Sequence, residues 1–434
     1  MVSFRILIVA ICAFLLCFSS QKAFASGSGA YRVETPDAAA MGMGSAFVGE
    51  ADTPAAVYYN PAGINQMTRP EVTVGDAIIA PRAQMTQSNG NVVHEQNNEF
   101  NVPNVYAVTP IIPNKLSIGI GTGSNWGLGT NWGYNGPLSY ATTQANITDI
   151  NSSLVASYQL TNQWSLAVSA DNDSTKADES KNLPNLGYSA DGNIQVKGSD
   201  NAWGYRIATM FKINDQNQVG LMYRSRINQT YSGEMTFSGI GPAYAAYGLG
   251  NSFMTSFQEK DVLPQSVVAG YSFKPTSKWT INADLEWMDW SSTKYQILSL
   301  PNANASELAF INAGGGTVTP ENWHSALSES IGTQYDLTDS FRVRVGYYHH
   351  RTPISSVNFN PVLPDSSSNA FTTGFGYDIT KRLTIDVTYS GLIYQTRDII
   401  NSLLSTIPPT GTYSANGKYS QYINIGLVSL TYKF

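Results

Sequence analysis

Leu383-Thr-Ile-Asp-Val-Thr-Tyr389 places an apolar side chain at every odd position and a polar one at every even position. A strand turns successive side chains to opposite faces, so this spacing predicts a β-strand with one apolar and one polar face. The alternation recurs in Trp279-Thr-Ile-Asn-Ala-Asp-Leu-Glu-Trp287, Phe341-Arg-Val-Arg-Val-Gly-Tyr347 and Val428-Ser-Leu-Thr-Tyr-Lys-Phe434. About fourteen such segments succeed one another, near 70–86, 98–109, 114–124, 147–160, 162–172, 195–213, 216–236, 254–274, 277–296, 320–337, 340–353, 368–379, 382–398 and 417–434.

The connections between them alternate in length. Short ones rich in Asn, Asp, Pro and Lys fall at 110–115, 160–163, 214–216, 274–278, 337–340 and 380–382. Long ones fall at 87–97, 125–146, 173–194, 237–253, 297–319, 354–367 and 399–416. An even number of strands with short turns on one side and long loops on the other is the pattern of an outer-membrane barrel. A propeller would repeat a unit of fixed length, and several sandwiches would need linkers; neither appears. The expected fold is therefore an all-β, about 14-stranded antiparallel transmembrane barrel.

Composition narrows the class further. The 434 residues are 42% hydrophobic but only 13% charged, with a net charge of −6. A soluble domain carries roughly twice that charged fraction. The one long apolar run, Ile6 to Phe18, is shorter than the ~20 residues a spanning helix needs. No Lys/Arg cluster offers itself to phosphates, which excludes a nucleic-acid partner. Arg5, the apolar run and Ala23-Phe24-Ala25 together predict a secretory signal peptide over 1–25. Both cysteines, Cys12 and Cys17, lie within it, so no disulfide, thiolate metal site or cofactor is expected in the mature chain. Of 25 basic residues, Arg5 and Lys22 leave with the leader; 23 then face 31 acidic residues, a net charge of −8.

Residues 26–69 are rich in Ala, Gly and Pro and read as a compact segment with a short helix near Pro54 to Tyr59, ahead of a barrel over 70–434. Parity assigns faces to the strands. If Phe434 faces lipid, so do Tyr432, Leu430 and Val428. By the same rule Arg206, Arg224, Arg226, Arg342 and Arg344 turn inward, opposite inward Asp284, Glu286 and Asp386. Two readings of these charges stand: they pair with one another or with the N-terminal segment, or one or two arginines clamp an anionic ligand.

The stretch from Phe237 to Phe257 carries no charge, although water would favour one. An apolar outer loop marks either a surface folded onto its neighbours or a groove for a hydrophobic ligand. Its candidate contacts are Phe237, Ile240, Tyr244, Tyr247, Leu249, Phe253 and Met254. Asn125-Trp-Gly-Leu-Gly-Thr-Asn-Trp-Gly-Tyr134 repeats the theme. Before it, Gly119, Gly121 and Gly123 alternate along one strand, a candidate break in the wall. A hydrolase is disfavoured. The histidines are His94, His324, His349 and His350, and the adjacent pair points to opposite faces, which also opposes a shared metal.

Met41-Gly-Met-Gly-Ser-Ala-Phe-Val-Gly-Glu-Ala-Asp52, followed by Ala56-Val-Tyr-Tyr-Asn-Pro-Ala-Gly63, resembles the N-terminal plug of the FadL/TodX (OMPP1) family, outer-membrane transporters of long-chain fatty acids and other hydrophobic compounds. The family's Asn-Pro-Ala motif falls on Asn60, Pro61 and Ala62. Asn125–Thr130, Leu263–Tyr271 through Trp290-Ser291, and Phe341–Thr352 are similar as well. The resemblance implies a fourteen-stranded barrel closed by that hatch, in the outer membrane of a Gram-negative bacterium. It also implies ligand capture between the third and fourth outer loops, near 173–194 and 237–257, and passage to an inner pocket. Exit would be sideways through a gap in the third strand near Gly119 to Gly123. The polar stretch 173–194, with Asp173, Lys176, Asp178, Glu179 and Lys181, departs from that pattern. The expected activity is passive uptake of a fatty acid or hydrocarbon by a non-enzymatic monomer. Its other partners would be membrane lipid, lipopolysaccharide and the barrel assembly machinery. A general porin is the alternative, and it leaves residues 26–69 without a role unless they plug the pore.

Overall fold

The computed structural model describes residues 29–434 apart from 188, 315 and 405–413. The expected leader over 1–25 lies outside the described residues, as does part of the connection 399–416. Fourteen strands close into one antiparallel ring: β1 Glu71–Thr86, β2 Phe100–Ile112, β3 in two pieces Leu116–Gly123 and Gly127–Asn131, β4 Gln144–Gln159, β5 Trp164–Leu183, β6 Gly192–Lys212, β7 in two pieces Asn217–Arg224 and Ile227–Ser238, β8 in two pieces Ser252–Leu263 and Ser266–Thr276, β9 Trp279–Met288, β10 Ala326–Asp336, β11 Phe341–His350, β12 Ser368–Asp378, β13 Leu383–Tyr394 and β14 Gly417–Lys433. Each pairs with the next, and β1 closes the ring on β14 from Glu71 opposite Lys433 to Thr86 opposite Lys418. Among the described residues no helix is long and apolar enough to cross a membrane.

Alternation does what the sequence requires of it. On β14 the outward Val428 and Leu430 are exposed while inward Ser429 is fully buried. On β6 Trp203, Tyr205 and Ile207 face out and Arg206 is 1% exposed. Two bulges reset the count. Ser225 and Arg226 interrupt β7, and Pro264 and Gln265 interrupt β8. The extra residues shift parity, so Arg226 is exposed, not inward, and pairs with Asp289 at 3.1 Å.

The connection expected over 173–194 is also corrected, because β5 runs on to Leu183. A tilted strand crosses the hydrocarbon in about 9–11 residues. β5 and β6, at 20 and 21 residues, therefore outrun it. Beyond that depth the outward face meets water, so hydrogen-bonded pairing continues while the hydrophobic alternation ends.

Residues 29–69 fill the interior. They contain α1 (Ala38–Gly42), α2 (Ala56–Tyr59) and a 3₁₀ turn, Pro61–Gln66. Hydrogen bonds tie the segment to strands all round the ring. Ala38 N–H donates to Ser429 on β14 at 3.0 Å, Phe47 and Val48 N–H to Asp284 on β9 at 2.8 Å each, and Ser157 and Ser165 on β4 and β5 donate to the Ala62 carbonyl.

Candidate functional site

The interior segment is seated on glycines. A β-carbon on Gly220, Gly270, Gly332 or Gly346, on four different strands, would collide with the backbone of Met43, Gly44, Val48 or Gly49. The wall could not close around this stretch if those positions carried side chains. Asn60 then fixes the turn beyond it. Its Oδ1 accepts from Ala62 N–H at 3.1 Å, and its Nδ2 donates to the Val48 carbonyl at 2.9 Å and the Thr209 carbonyl at 3.2 Å. Pro61 occupies the first position of the 3₁₀ turn, where its missing N–H is harmless.

Charged side chains hold the segment's ends. Arg206 bonds Asp171 through Nε (2.9 Å) and Nη2 (2.5 Å), and its Nη1 donates to the carbonyls of Val57 and Tyr58 that end α2. Arg32 pairs with Glu286 and, at 3.3 Å, with Glu34; Glu34 in turn meets His350 at 3.1 Å. Burial alone would raise the Glu34 carboxyl, but His350 and Arg32 carry it down to about 2. Asp37 caps α1 by accepting from Ala40 N–H at 2.9 Å. Burial, and then Asp386, push its carboxyl up to about 7. Glu50 is also raised to about 7 by burial and by Asp52, against Lys274 and Asn282.

Two apolar clusters lie on the outer side of this segment. Tyr31, Trp126, Trp290 and Trp323 pack together in the lumen, three ring pairs edge to face and two tilted, with ring centres 5.2–6.1 Å apart. At the rim, Phe310 of α3 (Ala305–Ala313) sits among Phe237, Tyr244, Tyr247 and Phe253 at 5.0–5.8 Å. Below the lumen cluster a small cavity, about 50 Å³, touches Arg32, Tyr58, Tyr59, Met222, Val268 and the carboxylates of Glu34, Asp284, Glu286 and Glu329.

One buried cation stands apart. Arg224 lies over the Tyr58 ring at 5.2 Å, yet among the described residues it has no ion pair, and its buried Nη2 meets no acceptor.

A closed fourteen-strand ring with a polypeptide segment bonded inside it has known relatives. Residues 16–434 match the family model described as outer membrane protein transport protein (OMPP1/FadL/TodX). The chain belongs to this family. A putative outer membrane protein of Neisseria meningitidis is 25% identical over 56% of the chain, which spans about half (53%) of that relative's length. The long-chain fatty acid transport protein of Escherichia coli K12 is 24% identical over 80% of the chain and 84% of its own. Among solved structures, a Pseudomonas aeruginosa FadL homologue superposes with a TM-score of 0.80 at 17% identity, covering 94% of this chain and all of that one. The P. putida toluene transporter TodX gives 0.72 at 17%, covering 94% and 99%. The protein is thus an outer-membrane transport protein of the OMPP1/FadL/TodX family.

Within this family member the expected site residues are distributed unevenly. Phe237, Ile240, Tyr244, Tyr247, Leu249 and Phe253 come together as one cluster, but on α3. Met254 does not join them; it is 58% exposed on the opposite face of β8. The third and fourth outer loops do meet, since Asn185 bonds the backbones of Gly239 and Gly241 and Tyr244 donates to the Pro184 carbonyl at 2.5 Å. Arg344 is committed to Asp386 and Gln334 at 2.6 Å each, and Arg226 to Asp289, which leaves Arg224 as the guanidinium without an acidic partner. Gly119 and Gly121 are paired on both sides, Gly123 with β4 alone. They make room for Val57 and Tyr106, and the wall break itself falls at Ser124–Trp126. The lumen partners Tyr31, Trp290 and Trp323 are not legible in the sequence because only the fold brings them together.

Proposed function

We propose that this transporter takes up long-chain fatty acids passively. Capture would occur at the apolar rim, followed by passage to an inner site beneath the lumen aromatics and sideways release into the membrane, with residues 29–69 as the hatch. The observation that supports a carboxylate-bearing ligand is Arg224, a buried guanidinium that lies over the Tyr58 ring and has no ion pair among the described residues. A buried charge is stable only when paired, and a guanidinium suits a carboxylate in shape and charge. A charge-assisted hydrogen bond contributes about 1.5–3 kcal/mol, roughly tenfold or more in affinity. Tryptophan fluorescence of the purified barrel, titrated with oleate and with oleyl alcohol, tests this. Oleate is expected to bind at least about tenfold more tightly, and Arg224→Met to erase the difference.

A second reading has its own support. Four carboxylates line the inner cavity against Arg32 and His350, and that balance favours a neutral hydrocarbon. Equal binding of oleate, oleyl alcohol and toluene would transfer the assignment to it.

A further inference from the structure

The ladder between β2 and β3 stops at Val105 opposite Thr122. β2 continues to Phe100, pairing only with β1, and β3 resumes at Gly127, pairing only with β4. On the β4 side three residues, 124–126, face two, because Gly123 is opposite Asn151 and Gly127 opposite Thr148. The wall therefore carries a seam whose upper end is stitched by Gln96 N–H to the Asn131 carbonyl at 2.8 Å. Backbone donors exposed along a seam inside a membrane need partners.

The N-terminal segment supplies them. Arg32 forms an antiparallel bridge with Trp126, flanked by Val33 N–H to the Asn125 carbonyl (2.9 Å) and Gly127 N–H to the Tyr31 carbonyl (2.8 Å). On the other side Asn104 of β2 donates to the Thr35 carbonyl at 3.2 Å. Residues 31–35 thus stand where β2 would pair with β3. Two further donors of the break, Asn125 and Trp126 N–H, go to Oδ2 of the wholly buried Asp149, at 3.0 and 3.3 Å.

We propose that Tyr31–Thr35 is a surrogate strand that closes this seam, and that Asp149 is a positioning residue that keeps the edge of β3 bent when the surrogate strand leaves. The division of labour comes from the bonds. Withdrawal of residues 31–35 frees Gly127 N–H and the Asn125 carbonyl but leaves the Asn125 and Trp126 donors satisfied, so β3 does not zip onto β2. The anchors of the surrogate strand meet at the inner cavity, which Arg32, Glu34, Glu286 and His350 all line. The role in exit rests on the uptake reading above; the seam and its two closures do not.

Arg32 and Trp126 are a non-hydrogen-bonded antiparallel pair, whose α-carbons lie about 4.5 Å apart, within disulfide range. In the Arg32→Cys/Trp126→Cys chain, oxidation is expected to cut oleate uptake into cells about tenfold relative to the reduced form of the same chain, and reduction to restore it. Oxidised protein that transports like the reduced form would overturn the closure. Absence of oleate uptake by the unmodified chain would instead count against the fatty-acid reading.

Amide hydrogen exchange gives a test that needs no ligand. Gly127 and Val33 are expected to exchange together and faster than Trp126; Asp149→Leu should bring Trp126 to their rate, and Asp149→Asn, which keeps an acceptor, should not. Uniform exchange across 122–131 in the unmodified chain would refute the division of roles.

Discussion

Arg206 and Asp171 face each other inside the barrel as a two-point ion pair, 1% and 2% exposed, with the guanidinium also bonded to the end of α2. Every polar contact of this pair points inward, toward the wall or the N-terminal segment. It joins the two and offers nothing to a ligand.

Arg206→Ala leaves the Asp171 carboxylate buried without its ion-pair partner, bonded among the described residues only to the Ser153 and Ser169 hydroxyls, and breaking a buried pair from one side costs about 3–5 kcal/mol. The unfolding midpoint of the detergent-solubilised barrel, followed by its heat-shifted mobility in electrophoresis, should fall accordingly. Arg206→Leu combined with Asp171→Leu should lose less than Arg206→Ala alone, because no orphan charge remains. A double variant as unstable as the single one would show that the bonds to Val57 and Tyr58 dominate.

Much of this is legible in the chain, and the reason lies in the period of a strand. Val428, Leu430 and Tyr432 have to share a face because the backbone pleat allows nothing else, and a buried lumen forces the polar partners inward. Parity fails at Arg226 because a bulge at 225–226 leaves no mark in hydrophobic pattern. α3 does leave one: Asn304 and Glu307 form a capping box, the spacing that opens a helix, inside a stretch that otherwise reads as a long connection. The lumen cluster of Tyr31, Trp126, Trp290 and Trp323 leaves none, since its members come from four places joined only by closure of the ring.

Asn60→Ala removes one acceptor and one donor that together serve Ala62, Val48 and Thr209. An unsatisfied buried group costs about 1–3 kcal/mol, so the 3₁₀ turn should loosen while the wall, which bonds itself, stays closed. Protease added to the purified protein should cut within 45–66 faster than in the parent, and uptake should change. Unaltered cleavage and uptake would remove Asn60 from the proposed hatch.

Gly346→Ala probes the seat of the segment. Its new methyl group would occupy the space of the Gly44 backbone, and overpacking of this kind costs about 1–3 kcal/mol. The outward face of β11 is untouched, so the barrel should still assemble and insert. Single-channel recordings in planar bilayers are expected to show openings that the parent lacks. A silent variant with parental thermal stability would mean that the segment shifts without undocking.

Raised carboxyls make the seat of the segment sensitive to pH. Asp37 and Glu50 are lifted from ordinary values of 3.8 and 4.5 to about 7, so the folded state holds their protons more tightly than the unfolded chain does. That contribution is complete below about pH 4 and is lost as pH rises through about 7. Glu34, lowered to about 2, acts in the opposite sense, but its contribution is complete by about pH 5 and fades only in stronger acid. Between pH 5 and 8 Glu34 no longer changes while Asp37 and Glu50 do, and docking should weaken. Hydrogen exchange of amides 38–52, corrected for the intrinsic rate, should therefore accelerate from pH 5 to 8 relative to the β1–β14 ladder. Asp37→Asn, which stays neutral throughout, should flatten part of that rise. If exchange across 38–52 tracks the ladder at both pH values, the carboxyls of Asp37 and Glu50 do not govern how the segment is held.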